Sequence, residues 1–202
     1  MIREIHNSAQ SCSGKPHVVA QTLKQAALIF KKCMLINEDE FLQVNNSNSA
    51  LISYVGSLGT FVGAMTLAKN EPLRTNHIDL KQILMESCTV KNKKFAIVFV
   101  CRILRESEQS RVFTQKNPWV SSIIQSLREI PFGGNSDVQT IELEIQSTFK
   151  ALKINLIEIK PNGLIDCMRQ PLTSCTSAMR KEIDYLHKRQ KLILPPTAIT
   201  SL

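Results

Sequence analysis

Apolar residues recur along this chain at helical spacing, and the clearest stripe lies near one quarter of its length. Its members are separated by steps of four and three residues: Leu51, Val55, Leu58, Val62 and Met65. Such steps place all five side chains on one face of a helix with 3.6 residues per turn. We expect this helix to end within Lys69–Pro72, because the residue before a proline is disfavoured in the α region.

Three of the seven glycines of the chain lie inside this one predicted helix, at Gly56, Gly59 and Gly63. Each glycine destabilises a helix interior by roughly 1 kcal/mol relative to alanine. Close approach of a neighbouring helix backbone would offset that loss. The sequence therefore predicts that another helix packs tightly against this one.

Similar stripes and capping signals predict five further helices. Asp79 favours a helix start through its interaction with the helix dipole, and Asn117 followed by Pro118 is a typical N-cap with proline at the first helical position. Asp137 is predicted to cap another helix. The expected helices are residues 16–34, 79–88, 117–129, 137–152 and 177–191.

The segment Phe95–Leu104 is apolar throughout and rich in β-branched residues. Periodicity alone does not separate a buried strand from a fully buried helix in such a run. We interpret it as a central helix, because every flanking segment has a helical pattern and no partner strand is visible. The predicted fold is all-α, an α-solenoid of antiparallel helix pairs. It has a flexible N-terminus (1–15), a helical domain (16–166) and an extension with one amphipathic helix (167–202).

The chain of 202 residues carries a net charge of +8. A basic balance suits RNA or acidic faces of protein partners, and it is equally typical of a solvated surface. Basic residues at successive predicted turns could line one edge of the solenoid: Lys91, Lys93, Lys94, Arg102, Arg105, Arg111 and Lys116. Aromatic residues are not interleaved with these charges, so RNA binding by base stacking is expected to be weak at best.

No pattern of catalytic or metal-binding residues stands out. The four histidines are far apart, the six cysteines form no C-x-x-C pair, and no phosphate-binding loop is present. We expect no enzyme activity, no cofactor, no metal and no disulfide framework. The first twenty residues lack an apolar core, and no apolar stretch approaches the length of a bilayer. These features predict a cytoplasmic or nuclear protein that does not bind membranes.

Trp119, the only tryptophan, follows a polar stretch that contains the short apolar island Val112-Phe113. The tryptophan is either a plug between helices, which we favour, or an exposed anchor for a partner. A short apolar island on a loop is a candidate contact patch.

Several short runs together resemble one protein family: Leu58-Gly59, residues 66–70, Pro72, Asp79-Leu80, residues 117–119 and Pro161. The family is the central domain of the Not-one scaffold subunit of the CCR-four/NOT deadenylase complex. That domain is related to the middle domain of translation initiation factor four G. The resemblance covers about residues 16–166.

The resemblance implies a crescent of HEAT-like helical hairpins without activity of its own. It implies docking of a Caf-one/Pop-two deadenylase and of a DDX-six/Dhh-one-type DEAD-box helicase, together with other subunits of the complex, for mRNA decay and translational repression. We hypothesise helicase contacts at Lys69, Asn70 and Arg74. The hypothesised deadenylase contacts are Arg111, Phe113, Lys116 and Trp119. A middle domain for the initiation helicase and an RNA-binding helical repeat are the alternatives.

Overall fold

The computed structural model describes residues 16–36, 48–87, 93–130, 136–155, 158–163, 165 and 177–190. Within these ranges the protein is all-α, as predicted, and no strand occurs. The helices are α1 (Pro16–Met34), α2 (Asn48–Met65), α3 (Leu80–Ser87), α4 (Lys93–Arg105), α5 (Pro118–Arg128), α6 (Ser136–Ala151) and α7 (Ser177–Gln190). Short 3-10 turns follow α2 (Leu67–Lys69) and α4 (Glu106–Gln109).

Helix α4 lies at the centre of the fold, and the helical interpretation of Phe95–Leu104 is confirmed. It packs against α1, α2, α3 and α6. Every residue of Phe95–Leu104 except Arg102 is buried, which explains why the segment shows no polar face in the sequence. The ring of Phe99 on α4 stacks on Phe30 of α1, with ring centroids 4.1 Å apart.

Alternate helices stack on one another. Helix α2 packs mainly against α4, and α4 against α6, while α3 also contacts α5. Contacts between every second helix are those expected when helix pairs stack side by side, and they support the predicted solenoid. The HEAT-like subtype stays a prediction.

Two of the three glycines in α2 lie where α4 approaches closely. A Cβ atom added to Gly59 would lie 2.7 Å from the backbone oxygen of Phe99, and one added to Gly63 would lie 2.7 Å from that of Ile103. The predicted close approach is therefore confirmed at these two positions. It is wrong for Gly56, where a Cβ would meet only side-chain atoms, the nearest 3.5 Å away on Arg102.

Helix α2 ends earlier than predicted, and for a different reason. Its last α-helical residue is Met65, and a 3-10 turn continues to Lys69. Asn70 then adopts the left-handed conformation with φ of 61°, and its backbone N–H donates to the carbonyl of Leu67. Asparagine tolerates this conformation better than most residues. Asn70, rather than Pro72, therefore terminates the helical path.

The predicted helix starts agree with the structure to within a residue. Asn117 caps α5, and its side-chain oxygen accepts from the N–H groups of Trp119 at 3.0 Å and Val120 at 3.4 Å. Asp79 lies just before α3 and accepts from the N–H of Gln82 at 3.3 Å. Helix α6 begins at Ser136, so Asp137 lies inside its first turn rather than before it. The side chain of Asp137 lies outside the described part.

Hydrogen bonds to Glu129 connect the segment around residue 163 to the end of α5. The Glu129 carboxylate is buried and accepts from the N–H of Gly163 at 2.5 Å and of Ile165 at 2.6 Å. Asn162 donates from Nδ2 to the carbonyl of Ser122 at 3.1 Å. Helix α7 matches the predicted amphipathic helix in its bounds. The N-terminus (1–15), which was predicted to be flexible, and most of the extension lie outside the described residues. The domain boundaries stay predictions.

The expectation that no apolar stretch approaches bilayer length was wrong, as judged by the length and composition of one helical stretch. The helical stretch Ser49–Lys69 has 21 residues and is apolar enough to cross a membrane. More than half of its most apolar window is buried against other helices, and core helices of globular folds pass the same test. Its length was missed because small and hydroxyl residues interrupt the apolar ones.

Candidate protein-docking rim

The turns that follow α2 and α4 contact each other. The side-chain oxygen of Asn70 joins them, accepting from Ser110 Oγ at 2.9 Å and from the N–H groups of Arg111 at 2.8 Å and Val112 at 3.2 Å. We call residues 69–74 and 110–119 together the rim. The two hypothesised partner sites thus lie side by side.

The 110–119 segment of the rim has a defined conformation although it contains no helix before Pro118. Ser110 Oγ accepts from the N–H of Phe113 at 2.8 Å and from that of Val112 at 3.2 Å. The Nδ2 group of Asn117 donates to the carbonyl of Val112 at 3.3 Å. With the bonds from Asn70, these contacts hold the apolar island in one arrangement.

Three apolar residues of the 110–119 segment differ in exposure. Phe113 is only 8% exposed, whereas Val112 is 52% exposed. Trp119 is partly buried against the core and meets the ring of Phe113 edge-on, with centroids 6.1 Å apart and planes at 74°. Trp119 is therefore mostly a plug, as favoured from the sequence. Val112 has the largest exposed fraction of the three. It belongs to the predicted contact patch Val112-Phe113 but was absent from the hypothesised deadenylase contacts, because chain position does not reveal exposure.

The charged residues of the rim are mainly basic. Arg74, Arg111 and Lys116 are exposed, Lys69 is partly buried, and Glu71 is the one acidic residue within 69–74 and 110–119. The rim therefore combines an exposed apolar side chain with positive charge. The assignment of its residues to particular partners stays a prediction.

The basic edge considered from the sequence is interrupted among the described residues. Lys94 is buried, with its ammonium group 5.4 Å from the centroid of the Phe95 ring. Arg102 and Arg105 both bind Glu144, each through an Nη2 atom 2.6 Å from one carboxylate oxygen. The single carboxylate of Glu144 on α6 therefore offsets one of their two positive charges. Lys91 lies outside the described residues.

Two described cysteines and the described acidic and histidine residues are candidates for chemistry. In the described part, no group of three His, Cys, Asp or Glu side chains is placed to hold a metal ion. Cys33 and Cys101 are buried free thiols, and burial raises the pKa of Cys101 to about 12. A thiol with such a high pKa forms little reactive thiolate near neutral pH.

Comparison with known proteins decides the family. A sequence profile described as the CCR4-NOT transcription complex subunit 1 CAF1-binding domain matches residues 17–174. The chain belongs to this family. The match spans α1 to α6 and both parts of the rim, so it covers the fold described here. The resemblance recognised from the sequence motifs is confirmed.

Curated relatives agree with this assignment. The chain is 25% identical over 113 residues to General negative regulator of transcription subunit 1 of Saccharomyces cerevisiae, covering 56% of the chain and 5% of that protein. It is 25% identical over 128 residues to the Schizosaccharomyces pombe protein of that name, covering 61% and 6%. It is 27% identical over 111 residues to CCR4-NOT transcription complex subunit let-711 of Caenorhabditis elegans, covering 54% and 4%. The matched region is thus about a twentieth of the length of these relatives.

Proposed function

We propose that this protein is a non-catalytic scaffold domain that docks a CAF1-type deadenylase within a CCR4-NOT complex. The observation that carries the proposal is the family match over residues 17–174. The architecture supports it, because a stack of helices with a fixed polar rim is suited to holding partners. Its place of action is the cytoplasm, with the nucleus as the alternative, and its task is to bring the deadenylase to mRNA that is to be repressed and degraded.

The 110–119 segment is the surface we assign to the deadenylase. Exposed Val112 lies beside Arg111, and Lys116 and Trp119 lie within the same short segment. Apolar anchors surrounded by arginine and aromatic groups are typical of protein interfaces. Because Asn70 and Asn117 already fix this segment, little conformational entropy is lost when a partner binds. Phe113 contributes from beneath, as the ring that supports Trp119.

Replacement of Val112 by glutamate tests the assignment. The side chain is exposed, so the fold is retained, and an acidic group at the centre of the interface should weaken deadenylase binding about tenfold or more. The matched control is Leu143→Glu on α6, where the side chain is 65% exposed. Binding is measured by isothermal titration calorimetry with purified deadenylase. Equal affinity for both variants and the wild type would remove this surface from consideration.

The finer proposal is that the 69–74 turn of the rim contacts a DEAD-box helicase of the DDX-six/Dhh-one type. Arg74 is exposed and Lys69 is partly buried, and both lie on a turn at the edge of a cleft. Asn70 takes part indirectly, because its side chain is occupied by the 110–112 segment.

Pull-downs with the two kinds of helicase separate this proposal from the alternative of a translation-initiation middle domain. Wild-type protein should bind the DDX-six/Dhh-one-type helicase and not the initiation helicase in a pull-down with purified components, and Arg74→Glu should reduce that binding. Binding of the initiation helicase alone would favour the translation-initiation reading. Binding of RNA that falls steeply with salt, without either helicase, would favour the RNA-binding repeat.

A further inference from the structure

A cleft of about 410 Å³ lies between α1 and the segment that connects α2 to α3. Its deeper lining is apolar or buried: Leu23 on α1, Met65 at the end of α2, and Thr66. Val19 and Ala20 form a partly exposed wall on α1. A cleft with an apolar floor and room for several side chains is typical of a peptide-binding site rather than of a flat contact.

Basic residues outnumber acidic ones in the lining of this cleft. Lys69 and Arg74 line it, and Glu71 is the acidic residue in its lining. Burial lowers the pKa of His77, which also lines the cleft, and the charges of Lys24 and Arg74 lower it further. Lys24 and Arg74 therefore both lie close enough to His77 to act on its charge. An anionic group placed in the cleft would therefore be stabilised.

The composition of the walls distinguishes between anionic ligands. Among the described residues no Phe, Tyr or Trp lines the cleft, so bases of single-stranded RNA would find no ring on which to stack. Leucine-like side chains, in contrast, would fill the floor formed by Leu23 and Met65. An extended segment that carries both carboxylates and apolar side chains complements the floor and the charges together.

We propose that the cleft between α1 and the 65–77 segment binds an acidic, leucine-containing linear segment of a partner protein. Its apolar side chains contact Leu23, Met65 and Val19, and its carboxylates lie near Lys24, Lys69 and Arg74. This proposal goes beyond the docking of the deadenylase and of the helicase, because it concerns the interior of the cleft. It shares Lys69 and Arg74 with the helicase proposal, so its test must separate the two.

The probe is a short fluorescein-labelled peptide in which glutamates flank leucines, and binding to the full chain is followed by fluorescence anisotropy. A matched peptide with lysine in place of glutamate should bind about tenfold or more weakly. Arg74→Glu should weaken binding of the acidic peptide by a similar factor.

The matched control is Lys32→Glu, which makes the same charge change on α1 outside the cleft. Lys32 is exposed and lies about half a turn around the helix from Leu23, on the face that points away from the cleft floor. Solvent and salt screen a charge at that position from the cleft. The affinity for the acidic peptide should therefore stay within about twofold of the wild-type value.

Ala20→Trp separates the cleft from the helicase site. The bulky ring fills the cleft from a partly exposed wall position, without altering the 69–74 turn. We expect this variant to lose the acidic peptide while it retains helicase binding. Far-UV circular dichroism on heating confirms that the variant is folded, and Ala20→Ser controls for substitution without bulk.

Three results would overturn the proposal. The first is equal affinity for the acidic and the basic peptide. The second is affinity for the acidic peptide that neither Ala20→Trp nor Arg74→Glu changes. The third is binding of a labelled oligouridine while neither peptide binds. The helicase proposal fails separately, when wild-type protein binds the acidic peptide but not the helicase.

Discussion

The glycines of α2 provide the sharpest test of the packing described here. Replacing Gly59, Gly63 or Gly56 by alanine adds the same methyl group to the same helix. In each case helix propensity improves by about 1 kcal/mol. The three positions differ only in what the new Cβ meets, so any difference in the free energy of unfolding reports the contact with α4.

At Gly59 and Gly63 the new Cβ would lie 2.7 Å from a backbone oxygen of α4. Backbone does not yield as a flexible side chain does, so the two helices must separate by about half an ångström, which weakens dispersion contacts along their interface. Overpacking of this kind destabilises by about 1–3 kcal/mol. After the propensity gain of about 1 kcal/mol, we expect each variant to be less stable by up to about 2 kcal/mol.

At Gly56 the nearest atoms belong to the side chain of Arg102, at 3.5 and 3.6 Å, which is ordinary van der Waals contact. Gly56→Ala should therefore be more stable than the wild type by about 0.5–1 kcal/mol. Urea denaturation followed by circular dichroism gives the three free energies, and thermal midpoints should shift by about 2–4 °C per kcal/mol for a chain of this size. A shift of all three variants in the same direction would refute the close packing of α2 on α4.

Three further predictions concern side chains outside α2. Asn70→Ala removes the acceptor of three hydrogen bonds. It should lower the free energy of unfolding in urea by about 1–3 kcal/mol and should also weaken deadenylase binding. Asn70→Asp keeps the acceptor and should retain both the stability and the affinity. Glu144→Gln leaves Arg102 and Arg105 without their shared carboxylate. It should lower the free energy of unfolding, measured by urea denaturation, by about 1–3 kcal/mol. The control is Glu158→Gln, because Glu158 is exposed. Burial is the main reason why the pKa of His77 is lower in the folded state than in the unfolded state. The neutral imidazole therefore contributes stability above the unfolded-state pKa of about 6.5, and this contribution is lost as the pH falls from there through the folded-state pKa. His77→Gln should flatten that part of the dependence of the urea midpoint on pH, and an unchanged slope would contradict this assignment.

Features set by neighbouring residues could be predicted from the sequence. The start of α5 depends on Asn117 and Pro118 alone, and both the cap and its position are as expected. The apolar stripe of α2 likewise identifies its buried face, because helical spacing determines which side chains lie together. The central helix α4 was ambiguous because it is enclosed on all sides, so its sequence carries no periodic signal.

Features that depend on residues distant in the chain could not be predicted. Asn70 was expected to face a partner, but its side chain is bonded to residues about 40 positions further on. Arg102 and Arg105 were expected on an open edge, but Glu144 reaches them from α6. In both cases a polar residue that looked available in the sequence is engaged by another helix or turn, and only the stacking order of the helices reveals it.

The rim is a consequence of how closely α2 and α4 pack. Because Gly59 and Gly63 allow the two helices to approach, the turns that follow them lie in contact, and Asn70 reaches Ser110 and the N–H groups beyond it. Stability and docking are therefore coupled at Gly63, where a larger residue would displace the turns. They are separable at Val112, which is 52% exposed. A substitution at Val112 that weakens partner binding without changing the free energy of unfolding therefore identifies a contact residue. Weaker binding after a substitution at Gly63 shows only that the packing of α2 on α4 positions the rim.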